Sequence, residues 1–110
     1  MANEDIDVSD VTGMTCRIKT STNFVIWLHL YDTSGHQFML GLVQGGTEGS
    51  HSRFGDFGYY FLGPGLTDGN WHIIDINIDE VFQSILSVGI NSIRAVYLGG
   101  HIWVDDLCFY

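Results

Sequence analysis

A chain of 110 residues with 45% hydrophobic and 14% aromatic content is long enough for one domain with its own core, and its composition excludes disorder. Thirteen acidic residues against four basic ones give a formal charge of −9, which argues against nucleic acid or anionic membrane as partners because both need a basic footprint. No apolar run approaches the roughly 20 residues of a membrane span.

Fourteen glycines and a single proline point to many tight turns between short strands. The opening Met1-Ala-Asn-Glu-Asp5 is acidic where a secretory signal needs a basic start and an apolar stretch, so no signal peptide is expected there. Residues 1–10, with Glu4, Asp5, Asp7 and Asp10, read as a flexible acidic arm on a single domain spanning 1–110. Residues 14–20 alternate Met14, Cys16 and Ile18 against Thr15, Arg17 and Lys19, a strand with one wet face. Residues 24–31 set Phe24, Ile26, Leu28 and Leu30 against Val25, Trp27, His29 and Tyr31. Asp32-Thr-Ser-Gly35 is a hairpin turn, and His36 to Val43 returns as the partner strand. Gln44 to Gly58 reads as a Gly/Ser-rich loop, followed by a short aromatic strand from Tyr59 to Leu62. Trp71 to Ile78 alternates again, and Asp79 to Leu86 has helical spacing with Asp79 placed to cap it. Ile90 to Leu98 and His101 to Tyr110 close the chain as strands around Gly99-Gly100. The pattern predicts an all-β, antiparallel β-sandwich of jelly-roll type with one short helical turn.

The row Trp27, His29 and Tyr31 faces away from an aliphatic side, so it should point out of the sandwich. Aromatic planes accept the C–H faces of a sugar ring, while imidazole, phenol and amide groups bond its hydroxyls. By the same phase, Gln37, Tyr60, Arg94 and Trp103 are its expected neighbours. Covered by another molecule instead, the row would be a protein interface, for example of a homodimer. The final stretch poses a different problem: Asp105 and Asp106 interrupt an apolar strand. Carboxylates there need a bulge facing water or a cationic partner. With the acids of residues 4–10 they are candidate ligands of a structural calcium. Cys16 and Cys108 fall in opposite phases of their strands, so two free thiols are expected. Nucleophile elbows, phosphate-cradling glycine loops and His-Glu-x-x-His are absent from the sequence, and the domain reads as non-catalytic.

Three separated stretches, in the same order, resemble bacterial β-sandwich modules appended to secreted, polysaccharide-associated proteins. They are Ile18-Lys-Thr-Ser-Thr-Asn-Phe-Val-Ile-Trp-Leu-His-Leu-Tyr-Asp-Thr-Ser-Gly35, then Tyr59-Tyr-Phe-Leu-Gly with Gly65-Leu-Thr-Asp-Gly-Asn-Trp-His72, then Ile93-Arg94 with Gly99-Gly-His-Ile-Trp-Val-Asp-Asp-Leu107. The resemblance, over residues 15–110, implies a carbohydrate-binding-module-like, galactose-binding-like jelly roll. It implies an extracellular, secreted or cell-surface setting within a larger protein, and a polysaccharide or other glycan as partner. It also implies a calcium joining an N-terminal acid to the last strand, carried here only onto Asp105 and Asp106, and Trp71-His72 as a strand-start anchor after Asp68-Gly69.

Overall fold

In the computed structural model the described residues are 3–9 and 12–110, with side chains from residue 12 onward. Among them are nine strands and one helix: β1 (Asn3–Ser9), β2 (Met14–Lys19), β3 (Val25–Asp32), β4 (Gln37–Val43), β5 (His51–Phe54), β6 (Phe57–Phe61), β7 (Trp71–Ile76), α1 (Ile78–Leu86), β8 (Ile90–Gly99) and β9 (Trp103–Phe109). They form a six-stranded sheet in the order β1-β8-β3-β4-β6-β5 and a three-stranded sheet in the order β7-β2-β9. The two sheets share one apolar core, so the molecule is an all-β sandwich.

Alternation decides which side of each strand enters that core. On β3, Ile26, Leu28 and Leu30 are buried while Trp27, His29 and Tyr31 are half-exposed. Met14, Cys16 and Ile18 of β2 and Ile74 and Ile76 of β7 meet them from the other sheet. Three strands cannot cover six, and α1 completes the lid over β5 and β6. Its Phe82 is fully buried, edge-on to Phe38 at 5.3 Å between ring centres. Gly58 leaves the space that Ile85 fills, since a Cβ there would stand 2.9 Å from the Ile85 Cγ2. The helix begins one residue earlier than its sequence pattern suggests, and the cap differs. Asn77, not Asp79, accepts the Glu80 N–H at 3.0 Å, while Asp79 lies in the first turn and accepts from the Gln83 amide and the Ile90 N–H.

The hairpin expected at Asp32–Gly35 is present. The Asp32 carboxylate accepts from the Ser34 and His36 N–H groups and the Ser34 hydroxyl, at 2.7 to 2.9 Å, which preshapes the turn. Three expectations need correction. Residues 51–54, read as loop, are strand β5; all four are exposed, so a sheet edge with no core-facing side left no alternation to detect. One pairing is not antiparallel: β4 and β6 run parallel, because β5 lies outside β6 and a two-residue turn at Gly55-Asp56 folds β6 back between them. Finally, the backbone of residues 3–9, expected as a flexible arm, pairs antiparallel with β8 and covers its edge.

Candidate functional site

Trp27, His29 and Tyr31 project from the outer face of the six-stranded sheet, as the alternation of β3 requires. The indole of Trp27 does not stand free. It lies across Gly41 of β4, where a Cβ would approach its ring to 2.8 Å, so glycine at that position lets the ring lie flat on the sheet. It then meets the edges of Tyr59 at 5.5 Å and Phe57 at 6.2 Å. His29 and Tyr31 lie side by side, ring centres 5.3 Å apart, and His29 Nε2 is 3.3 Å from the Gln37 Oε1 on the facing strand. Where these groups meet the β5–β6 turn, the face holds a shallow depression of about 320 Å³ lined by His29, Gln37, Met39, Asp56 and Phe57. His36 Nε2, 2.9 Å from the Asp56 carboxylate, ties that turn to the β3–β4 hairpin. An apolar wall with three convergent polar side chains is the common form of a small-ligand site.

The structure separates other residues from this face. Tyr60 is out of phase: it pairs with Leu42 and looks into a cleft of about 350 Å³ between β6, β7 and α1, shared with His51, Asp75 and Glu80. Its neighbours Tyr59 and Phe57 occupy the places assigned to it. In the aromatic run Phe57-Gly-Tyr-Tyr-Phe61 both phases are aromatic, so sequence could not choose between them. Trp103 points outward, but from β9 of the three-stranded sheet. Arg94 is exposed beside the row, at a bulge of β8 opposite the step from His29 to Leu30. Asp56, Phe57 and Tyr59 were not singled out from sequence, since only the parallel register of β6 on β4 brings them next to Trp27.

Asp105 and Asp106 sit at a bulge in β9. Thr15 pairs with Cys108 and Arg17 with Asp105, so two residues of β9 oppose Cys16, and Asp106 takes φ 54, the left-handed region that aspartate tolerates better than most side chains. One guanidinium serves both acids: Arg17 Nη2 donates to the Asp105 Oδ2 at 3.0 Å, and Arg17 Nε lies 3.3 Å from the Asp106 Oδ2. The anticipated bulge and cationic partner are thus both present, the cation being a side chain. For calcium to sit there, the guanidinium would have to leave both carboxylates, and more oxygens would be needed. The acids of residues 4–10 named for that role have side chains outside the described residues. Among the described residues no group of three or more His, Cys, Asp or Glu converges on one point.

The remaining chemistry is local. Trp71-His72 does start β7, and His72 Nε2 meets the Asp68 Oδ1 at 2.8 Å while the Asn70 N–H donates to the same oxygen. His72 first, then that amide, hold the Asp68 carboxyl down at about 2. Tyr110 donates to Asp75 at 2.7 Å, which keeps its phenol above the ordinary value. Cys16 and Cys108 are free thiols; burial pushes Cys16 up to about 11, so it stays protonated and inert at neutral pH. No helix among the described residues is long and apolar enough to cross a membrane. No protein-family model matches the sequence, and no curated protein matches it.

Proposed function

We propose that this domain is a non-catalytic glycan-binding module of the carbohydrate-binding-module-like kind, acting outside the cell as part of a larger protein. The observation that carries the reading is the depression beside Trp27, where the Phe57 ring stands next to the polar side chains of His29, Gln37 and Asp56. Trp27, Tyr59 and Tyr31 extend the apolar surface on either side, and Arg94 lies within the same sheet. A shallow face with few anchors gives affinities of about micromolar or weaker. Affinity gel electrophoresis through neutral polysaccharides tests it. Retardation by at least one of them, weakened about tenfold by Trp27→Ala, is expected. Mobility unchanged in every gel, or retardation indifferent to Trp27→Ala, rejects it.

The calcium of this reading competes with Arg17 for Asp105 and Asp106. A fall in melting temperature on adding EDTA supports the metal, and an unchanged one leaves the guanidinium as the neutralising charge. A second reading, an adhesive or self-associating module, draws on β5, an open edge on which Phe54 is 80% exposed. Light scattering during dilution separates the two, since a stable dimer through that edge persists where a ligand-free module runs as a monomer.

A further inference from the structure

The outer face of the three-stranded sheet carries a second constellation. Lys19 on the central strand is the register partner of Trp71 in β7 and of Trp103 in β9, so one row across the sheet reads indole, ammonium, indole. The two indoles spring from backbone positions about 10 Å apart, two strand spacings. Trp103 is 74% exposed and Trp71 45%. A lone exposed aromatic needs no explanation, but two indoles in one row, with the exposed Ile73 beside them, form a patch of the kind that marks a binding surface.

The charge of the row is specific. Arg17, one row along, is engaged by Asp105 and Asp106 and lies with its guanidinium 5.1 Å from the Trp71 ring centre. Lys19 Nζ lies 5.9 Å from the same ring and has no carboxylate within ion-pair distance among the described residues. Next to Trp103 the row opens into a cleft of about 280 Å³ lined by Lys19, Thr20, Ser21, Thr22, His101 and Trp103. In a chain of net charge −9, no acid lines this cleft, and its ionisable groups are an amine and an imidazole. Its wall is fixed from two directions. The buried Thr20 hydroxyl donates to the His101 carbonyl, joining the end of β2 to the β8–β9 turn, and the Gly69 N–H donates to the Thr20 carbonyl at 2.9 Å.

We propose that this row and cleft bind an acidic saccharide: a pyranose whose ring packs on Trp103 and whose carboxylate or sulfate pairs with Lys19. The Ser21 and Thr22 hydroxyls and the His101 imidazole supply donors for the anion and the ring hydroxyls. A neutral sugar offers the Lys19 ammonium only uncharged hydroxyl oxygens. An anion forms a charge-assisted hydrogen bond there instead. The site shares a ligand class with the aromatic face of the six-stranded sheet but none of its residues, so the two stand or fall separately.

The test uses the intact chain in affinity gels and calorimetry with three probes: a polyuronate, dextran sulfate and neutral dextran. Retardation by the polyuronate or dextran sulfate, and by which of them, identifies the anion. The expected result is binding to at least one acidic probe that weakens about tenfold in Lys19→Met and in Trp103→Ala. It also weakens as salt rises and survives Trp27→Ala. Both substitutions remove exposed atoms, and an unchanged melting temperature verifies the fold. Binding to neutral dextran that equals the acidic-probe binding and persists in Trp27→Ala, no binding to either acidic probe, or acidic-probe binding unchanged by Lys19→Met would overturn the assignment.

Discussion

Asp105 and Asp106 show how far a single residue can be read. That two adjacent carboxylates in an apolar strand require a bulge facing water or a positive neighbour follows from desolvation alone. That the neighbour is Arg17 does not follow, because it depends on β2 and β9 being paired with a one-residue slip at Cys16. Phase put Arg17 on a wet face; only topology put it opposite the acids. Asp68 supports a prediction at the same scale. Its carboxylate form is favoured in the folded chain by His72 and the Asn70 amide, which lowers its pKa from 3.8 to about 2. A lowered folded pKa stabilises above the unfolded value and is lost as pH falls through the folded one. The melting temperature of the wild type should therefore exceed that of Asp68→Asn above pH 3.8, with the gap closing as pH falls to about 2. Calorimetry at stepped pH measures this, and parallel curves would show that the pairing contributes nothing.

Among the elements, those with one wet and one dry side were legible: β2, β3, β4, β7 and β8 lie within a residue or two of their expected bounds. β5 was not, since it buries nothing, and β6 was found but with its faces exchanged. The helix was recognised by its apolar spacing, yet its architectural part was invisible in one dimension: it fills the area that three strands leave uncovered beneath six. Phe82 is the centre of that contact, fully buried against Phe38. Phe82→Ala should cost about 3 to 5 kcal/mol, as large aromatic truncations in a packed core do. Urea titration checks the value, and a loss below about 1 kcal/mol would mean that α1 is dispensable to the core.

At the scale of the whole molecule, both outer faces carry aromatic side chains: Trp27, Phe57 and Tyr59 on one sheet, Trp71 and Trp103 on the other. Sequence phase identified outward-pointing residues but assigned them to one surface, because alternation records which side of a strand is wet and not which sheet the strand joins. Trp103 was misplaced for that reason alone. The parallel neighbours β4 and β6 have a further consequence, in the order of events during folding. A strand linked directly to β4 by a tight turn would lie antiparallel to it, so β6 arrives already reversed by β5. The β5–β6 hairpin closes over a short loop and docks as a unit, which makes its turn a candidate for the nucleus. Gly55, at φ 61, holds that turn, and Gly55→Val should slow refolding while leaving the unfolding rate nearly unchanged. A chevron in which only the unfolding limb moves would place hairpin closure after the barrier, and β4 would then have waited for a partner that was still unformed.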